Sequence, residues 1–180
     1  MTNRLDWTPL SPSDARKLAA EILFSGVNRL QGIEVSARKT RPPFYDSVWL
    51  YHFTFKAGET TLPLYVLKWK EETRVLSGTS EAFHHLGQEG QLDFTFESVE
   101  EYLRFYCLAV RGEEGPFQIV EAEDLVRGEG EGEGGDRPRT YEELIQPVQS
   151  KGTDDEGQLL FAATVFYANQ LFRCHFAVAE

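Results

Sequence analysis

Apolar side chains are densest along residues 44–69, FYDSVWLYHFTFKAGETTLPLYVLKW. Two runs rich in β-branched and aromatic residues flank Gly58-Glu59, and a glycine at the first central position suits a two-residue type II′ turn. The pattern therefore predicts one long β-hairpin in which Ala57 pairs with Thr60. Because side chains alternate along a strand, this pairing fixes which residues share a face.

Both faces of this predicted hairpin are apolar. One face carries Trp49, Tyr51, Phe53 and Phe55 against Lys68, Val66, Leu64 and Leu62. The opposite face carries Val48, Leu50, His52 and Thr54 against Trp69, Leu67, Tyr65 and Pro63. Burying one large apolar side chain is worth about 1.5–3 kcal/mol, so neither face is expected to remain in water.

We expect helices of the same chain to cover one face of the hairpin. The other face then meets a second layer of the chain, a partner subunit or a ligand. A contact with an identical subunit through Val48, Leu50 and Leu67 is the favoured interpretation. Pro63 has no N–H for a sheet ladder, which predicts an edge position or a bulge at that point.

Capping residues and apolar spacing predict three helices between Ser11 and about Arg111. Ser11 is the N-cap of a helix that ends at Gly32. A short helix covers residues 81–86. The third helix has Ser98 as the N-cap of a capping box and runs to about Arg111 with a broad apolar stripe.

The C-terminal part is predicted to hold a strand over residues 116–120, a short helix from Thr140 and a second hairpin over residues 159–178. A two-residue turn near residues 168–170 separates the faces of that hairpin most cleanly. One face is then almost continuously apolar, with Phe161, Ala163, Val165 and Tyr167 against Phe172, Cys174, Phe176 and Val178. The other is narrow and half polar, with Ala162, Thr164, Phe166, Arg173, His175 and Ala177.

This order of elements predicts an α+β fold in which helices pack on a curved, mainly antiparallel sheet. In element order alone it resembles the cystatin-like and NTF2-like architectures. Those architectures host enzymes, binding modules and dimerisation domains, so the resemblance selects no function. A length of 180 residues suits a single domain over residues 1–180.

Residues 128–139, GEGEGEGGDRPR, form a low-complexity acidic segment. We expect a mobile surface loop within the domain, because nothing in the segment buries apolar area. It contains the spacing G-x-G-x-x-G, but Glu131 and Glu133 would repel a pyrophosphate, so no nucleotide cofactor is expected. Docking of this loop to a basic partner is a further hypothesis.

The chain carries 29 acidic and 18 basic residues, which gives a net charge of −11. That balance opposes nucleic-acid binding. Arg38, Lys39 and Arg41 form the one basic cluster and are interpreted as a solvated strand end. Cys107 and Cys174 are expected to be buried free thiols. Neither a signal peptide nor a membrane span is predicted, so the expected location is the cytoplasm.

No nucleophile elbow, P-loop or metal-binding motif occurs, so neither a metal nor a cofactor is expected. If both hairpins belong to one curved sheet, they predict a pocket lined by His52, Tyr65, Trp69, Thr164, Arg173 and His175. A histidine in such a place can act as a general base, and the competing interpretation is a sheet histidine bonded to a cross-strand hydroxyl.

The sequence therefore favours a non-catalytic interaction module that self-associates, as a dimer, through an apolar sheet face. The alternative is a small-molecule-binding domain or an enzyme that uses His52 and His175.

Overall fold

The computed structural model describes residues 5–23, 30–120 and 145–179. The chain divides into two compact units, residues 1–93 and 94–180. Within the described ranges, helices accompany antiparallel sheets, which confirms the α+β class. The prediction of one domain over the whole chain stays a prediction.

In the first unit, the described residues form a five-stranded antiparallel sheet in the order β1-β2-β3-β4-β5, together with two helices. Its elements are β1 (Thr8–Pro9), α1 (Pro12–Leu23), β2 (Glu34–Thr40), β3 (Trp49–Ala57), β4 (Thr60–Trp69), β5 (Glu72–Val75) and α2 (Glu81–Gln88).

β3 and β4 form the predicted hairpin. Ala57 pairs with Thr60 and Trp49 pairs with Lys68, so the register is the predicted one. Gly58 has a φ of +61°, which suits the first central position of a type II′ turn. β5 pairs with β4 only from residue 66 onward, so Pro63 lies on an open stretch of the strand, as predicted.

α1 covers one face of this sheet. Ser11 Oγ accepts a hydrogen bond from the Asp14 N–H at 3.1 Å, which confirms Ser11 as the N-cap. Three buried alanines of α1 lie in one apolar cluster with Tyr51, Phe53 and Phe55 of β3. The sheet face that carries these aromatic residues is therefore covered by the chain's own helix.

α2 packs on the opposite face of the sheet. The His85 ring lies 5.6 Å from the Trp69 ring. Phe83 and Leu86 of the same helix are buried. The predicted short helix is thus confirmed, and it supplies a cover for the second apolar face.

The residues predicted to form a subunit interface are core residues instead. Val48, Leu50 and Leu67 are each 0% exposed within the single chain. A side chain without exposed surface cannot contact a second subunit unless the fold opens. The expectation that a partner covers these three residues is therefore corrected: the chain covers them itself, and any self-association needs another surface.

The described residues of the second unit form one helix, a four-stranded antiparallel sheet and a two-stranded ribbon. Its elements are α3 (Phe96–Ala109), β6 (Arg111–Gly112), β7 (Gly115–Pro116), β8 (Gln118–Ile119), β9 (Gln149–Thr153), β10 (Leu159–Tyr167) and β11 (Gln170–Val178). β10 is the central strand: β11 pairs along one side, and β8 and β9 pair along the other.

β10 and β11 form the second predicted hairpin. Tyr167 pairs with Gln170, so the turn has two residues, as the separation of the faces predicts. Ala168 and Asn169 have φ values of +50° and +61°, the pattern of a type I′ turn. α3 covers the apolar face of the hairpin, where Phe161 joins its buried cluster.

Both cysteines are free, as predicted. Cys107 is buried on α3, and burial followed by the neighbouring Cys174 raises the pKa of its thiol to about 12. Cys174 is half-buried, and burial raises the pKa of its thiol as well. Neither thiol has the lowered pKa of a catalytic cysteine.

α3 begins one turn earlier than the sequence predicts. Thr95 is the N-cap: its Oγ1 accepts from the Ser98 N–H at 3.2 Å, and Ser98 Oγ accepts from the Thr95 N–H at 2.7 Å. Ser98 is therefore the third helical residue, and the prediction of Ser98 as N-cap is wrong. Ser98 completes a capping box in which a hydroxyl replaces the usual carboxylate.

Most of the other differences between the predicted elements and the observed ones concern short polar strands. β1, β5 and β9 were not predicted, and the predicted strand over residues 116–120 is divided between β7 and β8. The acidic segment 128–139 and the helix predicted from Thr140 lie outside the described residues.

Candidate functional site

The free edge of β11 is the longest open sheet edge in the described ranges. Among the described residues, β11 pairs with β10 alone along its nine residues. Residue pairs in an antiparallel ladder are alternately hydrogen bonded and not hydrogen bonded, and a two-residue turn makes Tyr167 and Gln170 a hydrogen-bonded pair. The N–H and C=O groups that point away from β10 therefore belong to alternate residues, namely Leu171, Arg173, His175 and Ala177.

Large apolar side chains are exposed near this edge. Phe172 is 43% exposed, and Phe166 on the neighbouring strand is 37% exposed. Phe172 shares its sheet face with Cys174 and Phe176, which alternate with it along β11. The edge thus combines open backbone groups with a partly uncovered aromatic residue.

His52 lies in a cluster of stacked rings on the sheet of the first unit. Its ring stacks on Tyr65, with centroids 4.6 Å apart, and meets the Trp7 ring edge-on at 6.2 Å. Arg38 Nε donates a hydrogen bond to His52 Nδ1 at 3.1 Å, and the Arg38 guanidinium lies 4.6 Å from the Trp7 ring centroid. Tyr65 therefore stacks on His52 instead of bonding to it through the hydroxyl.

This arrangement favours the neutral form of His52. Burial, and then the positive charge of Arg38, lower the pKa of His52 below its ordinary value of 6.5. Nδ1 must stay unprotonated to accept the Arg38 hydrogen bond. No described carboxylate bonds to the ring, and the described contacts are those of a cation–aromatic stack; the general-base role of His52 stays a prediction.

The segment that precedes β9 covers part of the polar face of the second hairpin. Thr164 is buried, and its Oγ1 accepts a hydrogen bond from the Gln146 N–H at 2.8 Å. Arg173 donates to Gln146 Oε1 through Nε at 3.0 Å. His175 is exposed. Thr164 and Arg173 are thus engaged in holding residue 146 against the sheet.

The structure brings together only part of the predicted pocket. His52 and Tyr65 are in contact, whereas Trp69 is buried in the core of the first unit. The pocket hypothesis assumed that both hairpins share one sheet, but His52 and His175 lie in separate sheets, one in each unit. Trp7 and Arg38 were missed as neighbours of His52, because strand pairing far apart in the sequence brings them there.

Comparison of the chain with known protein families, with curated proteins and with solved structures finds no match. In the described ranges, no group of three or more histidine, cysteine or acidic side chains could hold a metal ion. No helix there is long and apolar enough to cross a membrane.

Proposed function

We propose that the protein is a non-catalytic interaction module that self-associates, and that two copies meet along the free edge of β11. The observation that carries the proposal is the nine-residue edge of β11, open along its whole length in the described structure. A strand of a second copy would satisfy the outward backbone groups and extend the sheet. A cytoplasmic location belongs to the same proposal and is supported by the two free thiols.

The other described sheet edges are either short, as in β5 with four residues and β8 with two, or carry features that block pairing. β1 includes Pro9, and the open stretch of β4 includes Pro63. β9 has Lys151 and faces a register shift in the ladder between Leu160 and Phe161. Proteins use prolines, lysines and bulges of this kind to prevent edge-to-edge association.

β11 has none of these features. Its sequence, QLFRCHFAV, contains no proline, lysine or acidic residue. The hairpin over residues 159–178 likewise lacks any carboxylate, although the whole chain has a net charge of −11. Two copies approaching through this hairpin therefore bring together a part of an acidic molecule that has no negative side chain, which limits their electrostatic repulsion.

The edge is also self-complementary. An antiparallel pairing of two β11 strands overlaps along all nine residues when Cys174 lies on the two-fold axis. Phe172 then lies opposite Phe176 of the partner subunit in a pair that is not hydrogen bonded, where side chains are closest. A pairing centred on Arg173 would instead oppose two arginines, which is unfavourable.

A proline substitution on the edge tests this proposal. His175→Pro removes one outward N–H, and proline is tolerated on an edge strand. We expect this variant to be monomeric by size-exclusion chromatography with light scattering at concentrations where the natural protein dimerises. His175→Thr keeps the N–H and a good strand former, so it should still dimerise. If both variants and the natural chain have the same mass, the edge is not the contact.

A further inference from the structure

A cleft of about 400 Å³ opens in the first unit beside β1 and the end of β2. Its walls include Leu5 and Pro43 as apolar residues, Thr8 and Thr40 as hydroxyl groups, and Arg41 with Trp49. Its volume lies in the range of small-molecule sites, about 300–1,000 Å³. None of its residues belongs to the β11 edge, so it is independent of the proposed self-association.

Two cations lie at the Trp49 ring, which lines this cleft: Arg41 is a lining residue itself, and Lys39 is a neighbour of the ring. Lys39 Nζ lies 4.5 Å and the Arg41 guanidinium lies 4.6 Å from the centroid of the Trp49 ring. Each contact is a cation–π interaction, and the ring holds both positive groups in place. Like charges near one ring repel each other, so a negative group beside them would be stabilising.

No acidic partner is provided within the described part of the chain. Neither Lys39 nor Arg41 forms an ion pair with a described carboxylate, although the chain has 29 acidic residues. Asp6 lines the same cleft, and the ion pairs among the described residues do not join it to either cation. Charges of an ordinary solvated surface in such an acidic protein would be expected to find partners more readily.

We propose that this cleft binds a small organic anion, with its carboxylate or phosphate oxygens at the Arg41 guanidinium and with Lys39 as a second positive charge at the same Trp49 ring. The apolar body of the ligand would lie against Leu5 and Pro43, and the guanidinium fork of Arg41 suits two oxygens of one anionic group. Asp6 on the wall disfavours a ligand with several negative charges, so we expect a single anionic group.

The buried position of Thr40 favours a preformed binding site and argues against a loose surface groove. Thr40 is 4% exposed, yet it lines the cleft. It lies between the two cations in the sequence, at the end of β2, where the sheet fixes the backbone. Thr40 therefore gives the cleft a wall held by the sheet, with Arg41 next to it in the lining.

Isothermal titration of the full chain tests the proposal with three probes: phenyl phosphate, benzoate and neutral benzyl alcohol. We expect saturable binding of at least one anionic probe and none of benzyl alcohol. Tighter binding of phenyl phosphate than of benzoate would identify the preferred anionic group as a phosphate. Tighter binding of benzoate would identify it as a carboxylate.

A matched pair of double variants shows where the anion binds. Lys39→Gln with Arg41→Gln should weaken binding at least about tenfold, because hydrogen bonds to charged groups are lost. Lys56→Gln with Arg111→Gln removes the same charge from exposed positions elsewhere and should leave the affinity unchanged. Arg41→Lys, which keeps the charge, should bind with an intermediate affinity.

Three outcomes would overturn the proposal. The first is the absence of saturable binding by either anionic probe, and the second is equal binding of benzyl alcohol, which would indicate an apolar cleft only. The third is an equal loss of affinity in both double variants, which would mean diffuse attraction by net charge. All variants change exposed or half-exposed side chains, so circular dichroism should show the same fold in each.

Discussion

Truncation of Phe172 should weaken the proposed dimer without unfolding the chain. In the pairing centred on Cys174, the exposed part of Phe172 is covered by Phe176 of the partner subunit. Phe172→Ala removes that contact twice per dimer, because the interface is two-fold symmetric. The backbone groups of β11 are unchanged, so the strand can still pair.

The structure sets the size of the effect. Phe172 is 43% exposed, and full burial of such a side chain is worth up to about 3 kcal/mol. Covering that exposed part is then worth about 1 kcal/mol per copy and about 2 kcal/mol per dimer. Since each 1.4 kcal/mol corresponds to a factor of ten, Phe172→Ala should raise the dissociation constant roughly thirtyfold.

Sedimentation equilibrium over a wide range of concentrations measures this constant directly. Phe166→Ala is the matched control: Phe166 is 37% exposed and lies on β10, on the opposite face from Phe172. We expect its dissociation constant to match that of the natural chain. An equal effect of both truncations, or no effect of either, would refute the proposed contact.

Three further predictions concern single groups. Diamide should cross-link two copies through Cys174, because the proposed pairing places the two Cys174 side chains opposite each other. As the S–S bond forms, each thiol gives up one proton, and the two thiols together transfer two electrons to the N=N bond of diamide. Burial and then Arg38 lower the pKa of His52, so the free energy of unfolding should be fully retained above pH 6.5 and fall as the pH drops through the lower pKa of the folded state. Thr95→Ala should lower the free energy of unfolding in urea by about 1 kcal/mol, because the helix loses its N-cap.

Each of these predictions has its own control. Cys174→Ser should abolish the cross-linked band on a non-reducing gel, whereas retention of that band would place the contact elsewhere. His52→Asn keeps an acceptor without titrating, so an unchanged pH profile would exclude His52 as the cause. Thr79→Ala, in an exposed turn, should change the free energy of unfolding by less than about 0.5 kcal/mol, and a loss equal to that of Thr95→Ala would contradict the capping argument.

Both long hairpins were predictable because their information is local. A two-residue turn at Gly58 or at Ala168 fixes the pairing of every residue that follows, so strand register and faces could be derived from the sequence. The start of α3 was missed because Ser98 matches the capping box as an N-cap. The actual N-cap is Thr95, three residues earlier. The side chains of Thr95 and Ser98 each accept a hydrogen bond from the other residue's backbone N–H.

The candidate sites depend on pairing between distant strands, which leaves no local mark. Two apolar faces of the first hairpin indicated that something covers them, but not that α2 does so. The stacking of Trp7 with Arg38 and the gathering of Lys39 at Trp49 follow from the pairing of β1, β2 and β3. Arg38, Lys39 and Arg41, which were interpreted from the sequence as a solvated strand end, thereby lie close to aromatic rings.

Residue-resolved amide hydrogen exchange at low and high protein concentration tests the central proposal most directly. If two copies pair along β11, exchange should slow with concentration at the outward amides, those of Leu171, Arg173, His175 and Ala177. The amides that bond to β10, such as that of Cys174, should change little. Unchanged exchange at the four outward amides, while the solution mass doubles, would contradict the account and place the contact on another surface.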